Sequence, residues 1–241
     1  MKQIGLMMSA LRGGMKRWLV LMVLLLSVSL THGAMGAEDD TQQWTSVTIK
    51  HALTPDVSAN FTARVRLDED ISHAKDLLVR PWLSVKATDG LSLGLGYDHI
   101  EPFPSSANSE DRVWQQLEFK LGVFDLPVSG HFRLEERFLE DVDTTIFRTR
   151  WRLELEIPIP DEDWYFSSFN EVFLNHNSDS DGPQSGFDQN RLFFGLGGNL
   201  ADRVKAEFGY QWVYERKSGE DENIHALILN LTIQTGNTSR P

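Results

Sequence analysis

The strongest constraint on the fold is the stretch from Thr145 to Ile157, which reads TIFRTRWRLELEI. Its odd-numbered residues are mostly apolar or aromatic, whereas its even-numbered residues from Arg148 to Glu156 are all charged. A period of two predicts a β-strand with one oily side and one charged side. The stretch is longer than the ~5–6 residues of an ordinary strand, and long enough to cross a membrane when it is tilted.

The same alternation recurs along the whole chain and predicts an all-β protein. We identify eleven candidate strands in chain order: 44–50, 57–67, 77–86, 91–99, 112–121, 130–138, 145–157, 164–174, 189–197, 203–214 and 225–233. Bacterial single-chain membrane barrels normally have an even number of strands. We therefore expect ten or twelve, within a range of 10–12: either the segment Trp44 to Lys50 lies outside the barrel, or one strand is missed.

The connections between these strands also alternate in length. Short turns with Pro, Gly, Asp or Asn occupy 51–56, 87–90, 122–128, 158–162 and 199–202. Mostly longer and more acidic loops occupy 68–76, 100–111, 139–144, 175–188 and 215–222. Short turns at one rim and longer loops at the other are typical of an antiparallel up-and-down transmembrane β-barrel.

Composition excludes several functional classes. The chain has 35 acidic and 23 basic residues, a formal net charge of −12, which argues against nucleic acid as a partner. The absence of cysteine excludes disulfides, thiolate metal sites and cysteine nucleophiles. No motif predicts a cofactor or a metal. After residue 30 no segment approaches ~20 continuous apolar residues, so we expect no helical span in the mature chain.

The N-terminus is typical of a secretory signal. Basic residues at Lys16 and Arg17 precede an apolar segment from Trp18 to Leu30, and small residues follow from Thr31 to Ala37. The apolar segment is short for a membrane span, which favours cleavage, here after Gly36, over an uncleaved anchor.

We therefore divide the chain into a signal peptide, residues 1–36, and a single barrel domain, residues 37–241. This division predicts export to the outer membrane of a Gram-negative bacterium. The expected partners are outer-membrane lipids and, during insertion, the barrel-assembly machinery. The sequence leaves the oligomeric state open.

Six phrases, in order across nearly the whole mature chain, together resemble one family. They are QQWTSVTI (42–49), LGLGYDH (93–99), RLEERF (133–138), RTRWRLELEIPI (148–159), FNEVFLN (169–175) and FDQNRLFFGLG (187–197). The set is similar to the outer-membrane β-barrel family catalogued as domain of unknown function 2490. The resemblance implies a β-barrel in a Gram-negative outer membrane, and it implies no activity.

The charged faces of the predicted strands are the first candidate site. Their members are Arg64, Arg66, Arg80, Arg112, Arg133, Glu135, Arg137, Arg148, Arg150, Arg152, Glu154, Glu156, Glu171 and Arg191. Inside a narrow barrel such charges must be paired, because an unpaired buried charge is expensive. One interpretation is an ion-pair network that fills the lumen in a structural role. The other is a constriction for limited passage of small ions or anionic solutes, lined by the row Arg148, Arg150 and Arg152.

A second candidate site predicts an enzyme of a different class. If the strand continues past Leu174, His176 and Ser178 share its outward face, and Asn190 lies outward on the next strand. A His that activates a Ser, oriented by an Asn, is the logic of a lipid acyl-ester hydrolase. The spacing resembles outer-membrane phospholipase A and lipid A deacylase, although Ser178-Asp179-Ser180 departs from the phospholipase sequence Ser-Asn-Gly. The alternative is a set of solvated loop residues.

Alternation by itself does not tell which face lies inside, so a soluble periplasmic lipid-binding barrel with an oily lumen is a third alternative. The membrane interpretation requires Phe147, Trp151 and Leu153 to point outward and Arg148 and Arg150 to point inward. The lipid-binding alternative requires the reverse.

Overall fold

The structure, a computed structural model, describes residues 38–103, 108–123, 126–217 and 219–236. They form eleven strands: β1 (Glu38–Ala52), β2 (Val57–Asp68), β3 (His73–Thr88), β4 (Leu91–Pro102), β5 (Glu110–Val123), β6 (Leu126–Leu139), β7 (Ile146–Pro158), β8 (Trp164–Asn175), β9 (Gly186–Ala201), β10 (Val204–Glu215) and β11 (Glu222–Gly236). Each strand pairs with its sequence neighbours, and β1 closes the barrel against β11. The all-β barrel is confirmed, while the predicted signal peptide lies outside the described residues.

The barrel closes with a parallel pair. Neighbouring strands are antiparallel, but β1 and β11 run parallel in one unbroken register from Glu38↔Glu222 to Ala52↔Gly236. The expectation of an even number of strands was therefore wrong, since a parallel last pair closes a ring of eleven with no exposed edge. The segment Trp44 to Lys50, which a count of ten would have left outside, lies within β1.

Nine of the eleven strands are longer than the alternating segments predicted, and β7 and β10 have the predicted length. For example, β1 begins at Glu38 rather than Trp44, and β5 begins at Glu110 rather than Arg112. Alternation fails at these ends because the outward positions there carry polar side chains, such as Thr41 and Asp111. The ladder continues beyond the apolar segment of each strand.

The alternation of connection lengths is confirmed. Among the described residues, segments 69–72, 108–109, 140–145, 176–185 and 219–221 lie at one end of the barrel, which we call the loop rim. Segments 53–56, 89–90, 159–163 and 202–203 lie at the other end, the turn rim. Because β1 and β11 are parallel, β1 starts at the loop rim and β11 ends at the turn rim.

The apolar faces of the strands point outward. Phe147, Trp151 and Leu153 are 50%, 54% and 52% exposed, whereas Arg148 and Arg150 are 6% and 5% exposed. The orientation required by the membrane interpretation is thus the one observed, and it is opposite to that of a lipid-binding barrel with an oily lumen.

The lumen has an apolar side and a charged side. The apolar side is formed by β8 to β11 and β1, whose inward side chains make a buried cluster: Trp44, Phe169, Phe193, Val213, Ile224, Ala226 and Ile228. The facing strands β2, β3, β5, β6 and β7 each carry at least one inward arginine. The charged faces predicted from the sequence therefore share the lumen with an apolar side.

Two residues are unusual for their positions in the barrel wall, Pro81 in β3 and Glu136 in β6. The β3–β4 ladder pairs Val79 with His99 and resumes at Trp82 with Gly96, so it lacks pairs at Arg80 and Pro81. The gap agrees with the missing donor of proline. Glu136 stays on the outward face, half-buried between its register partners Val113 and Phe147.

Replacing Gly209 by valine should destabilise the barrel by about 1–3 kcal/mol through overpacking. A Cβ at this position would lie 2.3 Å from the Phe194 carbonyl oxygen and 2.6 Å from Cα of Gly195, its register partner on β9. Both are backbone atoms, so no side-chain rotation can relieve the overlap. Urea titration of the refolded barrel measures the loss, with Gly219→Val as control, since a Cβ there meets nothing within 4 Å. Equal stability of the two variants would contradict the prediction.

Candidate functional site: the arginine network of the lumen

Two buried glutamates, one on each strand that flanks β7, form the centre of the network. Arg150 of β7 donates from its Nη1 to Glu135 of β6 at 2.8 Å and from its Nη2 to Glu171 of β8 at 2.7 Å. The Nε of Arg148 donates to the Oε2 of Glu135 at 2.8 Å. The Nη2 of Arg152 donates to the Oε2 of Glu171 at 2.8 Å. Three consecutive inward arginines of one strand are thus held by one carboxylate from each adjacent strand.

The network continues around the charged side of the lumen. Asp98 accepts bonds from the Arg80 guanidinium and from the Trp114 indole N–H, at 2.7 Å and 2.6 Å to its Oδ1. Farther round, Glu110 is shared by Arg112 and Arg137. These contacts tie β3, β4, β5 and β6 to the central group through charge-assisted hydrogen bonds, which are stronger than neutral ones.

Aromatic rings support the guanidinium groups from the other side. The Arg133 Cζ lies 3.9 Å from the centre of the Trp114 ring, and the Arg152 Cζ lies 3.8 Å from the centre of the Phe169 ring. Such cation–π contacts are stabilising, and more so where water is excluded. The inward aromatics therefore link the charged and apolar sides of the lumen.

The structure brings together most of the predicted lumen residues, but not all of them. Arg133, Glu135, Arg137, Arg148, Arg150, Arg152 and Glu171 all take part in ion pairs. Glu154 lies on the same face of β7, although it makes no ion pair within the described part of the chain. Arg191 makes none either and instead donates to Gln189. The row Arg148, Arg150 and Arg152 is therefore largely neutralised and is not a free cationic lining.

Sequence reasoning missed several partners of these arginines. Asp98, Glu110 and Asp188 each hold one or more arginines, and His131 contacts Glu171 at 3.2 Å. The strand parity of Asp98 and His131 was readable, but Glu110 and Asp188 fell in the predicted loops 100–111 and 175–188. The choice of partner also depends on which strands are neighbours. The inward Phe173 had a signal in the sequence, since it shares the parity of Glu171 in a segment that alternates poorly.

The second candidate site is placed at the loop rim, where its three polar groups have other partners. The His176 Nε2 lies 2.9 Å from the Thr149 hydroxyl, and the Ser178 Oγ accepts the Ser185 backbone N–H at 2.7 Å. The Asn190 side chain donates to the Glu171 backbone carbonyl at 3.2 Å. Within the described residues no hydrogen bond joins the three, and the hydrolase stays a prediction.

The loop that carries Ser178 is held by hydrogen bonds to the residues around the start of β7. Asn177 accepts the Phe147 backbone N–H and donates to the Thr145 carbonyl, both at 2.8 Å. The hydroxyl of Thr144 and then the backbone N–H of Asp181 lower the pKa of Asp179. Hydrogen bonds to its charged form are the cause.

The chain is similar to several known proteins. One relative is an uncharacterised protein of Methylorubrum extorquens (strain AM1), 31% identical over 224 residues that cover 87% of this chain and 97% of the relative. Among solved structures, LpxR from Salmonella typhimurium matches with a TM-score of 0.42 at 10% identity, over 73% of this chain and 83% of that one. A bacterial polysaccharide outer membrane secretin matches with a TM-score of 0.41 at 10% identity, over 70% and 72%.

Neither structural match reaches a TM-score of 0.5. The family model for proteins of unknown function, DUF2490, matches residues 41–223, from near the start of β1 to the start of β11. The chain therefore belongs to the DUF2490 family.

Proposed function

We propose that this chain is an outer-membrane β-barrel with a structural role, whose lumen is closed by ion pairs and allows at most limited passage of small solutes. The observation that carries the proposal is the orientation of the strands. Their apolar side chains face the surroundings, and their ionised side chains face one another. Only a surrounding hydrocarbon phase makes this arrangement favourable over the reverse.

The exposed apolar surface supports the membrane location. Outward leucines, valines and aromatic residues on nearly every strand are more than a third exposed, far beyond the isolated patches of soluble monomers. Exposed aromatics lie towards both rims, such as Tyr97 and Phe138 near the loop rim and Phe61 and Phe166 near the turn rim. Aromatic girdles at both interfaces are typical of membrane barrels.

The filled lumen supports the structural role. Glu135, Glu171 and Asp98 are almost completely buried although they face inward, because arginines and aromatic rings cover them. The ion-pair network therefore occupies the charged side of the lumen, and the aromatic cluster occupies the other side. What space remains suits small solutes at most.

Migration on unheated gels tests the location. Protein extracted from outer membranes with detergent should migrate faster before boiling than after it, as folded membrane barrels do. A variant with Leu93, Leu95 and Leu153 changed to serine should be lost from the outer-membrane fraction. If the wild type were recovered from the soluble periplasmic fraction with unchanged migration, the proposed location would be wrong.

Replacing Arg150 by alanine should raise the conductance of the barrel in a planar bilayer and make it cation-selective. Arg150 bridges Glu135 and Glu171, so its loss removes bulk and leaves two carboxylates short of one cation. Conductance and reversal potential in a salt gradient measure the two effects. Arg203→Ala, at the exposed turn rim, is the control and should resemble the nearly silent wild type. A large conductance of the wild type would contradict a closed lumen.

A further inference from the structure

Two of the lumen arginines differ from the rest. Ten arginines point into the described lumen: Arg64, Arg66, Arg80, Arg112, Arg133, Arg137, Arg148, Arg150, Arg152 and Arg191. Eight of them form ion pairs with inward carboxylates. Within the described residues Arg64 and Arg191 form none. Both are half-buried, as are Arg66, Arg80, Arg112 and Arg152, so the missing ion pair and not the burial sets them apart.

The contacts of Arg64 leave its charge without a partner of opposite sign. Its Nε is buried and lacks a hydrogen-bond acceptor. The guanidinium carbon lies 5.6 Å from the centre of the Trp44 ring. The nearby carboxylate of Asp76 is engaged by the Nε of Arg66, at 2.8 Å and 2.9 Å to its two oxygens. An unpaired buried donor on a cation carries a desolvation cost that an anion would remove.

Arg191 reaches the same ring from β9, which lies three strands from β1 in the direction away from β2. Its guanidinium carbon lies 5.1 Å from the centre of the Trp44 ring and 4.6 Å from the centre of the Phe173 ring. Its Nε donates to the neutral side chain of Gln189 at 2.8 Å. Trp44 therefore has a guanidinium from β2 and one from β9 near it, and neither forms an ion pair within the described residues.

We propose that Arg64 and Arg191 bind a small oxyanion, phosphate or sulfate in size, beside Trp44 in the half of the lumen nearer the loop rim. A guanidinium offers a planar fork of donors that matches two oxygens of such an anion. Arg66, although paired with Asp76, adds positive potential, since its guanidinium carbon lies 5.2 Å from the centre of the same ring. The site binds a dissolved anion, because lipid headgroups lie outside the wall. Binding requires neither passage through the barrel nor a membrane.

Titration calorimetry of the folded, detergent-solubilised full barrel with inorganic phosphate at low ionic strength tests the site. We expect saturable binding of one phosphate per barrel and competition by sulfate. Arg64→Gln and Arg191→Gln should each weaken binding about tenfold or more, because each removes a charge-assisted donor. The double variant should show no binding. Arg64→Lys should retain part of the affinity, since it keeps the charge and loses the fork.

Arg203→Gln is the matched control, because this exposed arginine at the turn rim lies outside the lumen site. It should bind phosphate like the wild type. Heat-modifiable gel migration confirms that each variant is folded before it is titrated. Undiminished binding by the folded double variant would overturn the assignment, and so would a wild type that gives only the non-saturating heat of an ionic-strength change.

Discussion

Replacing Glu171 by alanine should destabilise the barrel by about 3–5 kcal/mol, the usual cost of breaking a buried ion pair. Glu171 is completely buried and accepts from Arg150 at 2.7 Å and from Arg152 at 2.8 Å, while His131 lies 3.2 Å away. Its removal leaves two arginines near one another in the lumen with a single carboxylate, Glu135, close by. Repulsion adds to the lost attraction.

Urea titration of the barrel refolded into lipid vesicles measures this change as a lower midpoint. Glu162→Ala, in an exposed segment of the turn rim, is the control and should change stability by less than about 0.5 kcal/mol. Glu171→Gln separates charge from shape, since the amide keeps the volume but lacks the charge. If Glu171→Ala and Glu162→Ala unfolded at the same midpoint, the network would contribute nothing to stability.

Replacing Leu153 by arginine should cost about 2–4 kcal/mol of folding stability in a bilayer, because the side chain would enter the hydrocarbon core. Leu153 points outward near the middle of β7 and is 52% exposed. Ile157 points outward from the same strand, one residue from its end at the turn rim. Ile157→Arg should therefore cost only about 0–1 kcal/mol, as expected near an interface.

The pair of variants is informative because strand, face and introduced side chain are the same. Refolding into vesicles followed by urea titration gives both free energies. A clear excess cost at Leu153 supports immersion of the outward face. Equal and small costs at the two positions would mean that this face meets water, and the membrane location would then be wrong.

Local features of the sequence were sufficient for much of the fold. In β7 the alternation of Phe147, Trp151 and Leu153 with the arginines defines an oily and a charged side, because side chains in a strand point alternately to opposite faces. The alternation of short and long connections predicted the up-and-down order, because connection lengths are also read from contiguous segments of the chain. The parity of Glu135 and Glu171 placed them on the charged side before their partners were known.

The sequence by itself thus determined strand parity, the order of the strands and the chemical nature of the two faces. Only the tertiary structure decided which face lies inside, that eleven strands close through a parallel pair of β1 and β11, and which charges meet. Those properties depend on the curvature and closure of the sheet, which bring side chains distant in the chain into one small space. Arg148 and Arg150 are therefore held in ion pairs although their row is the most basic in the chain. Arg64 and Arg191, on the same charged faces, lie near Trp44 and form no ion pair within the described residues.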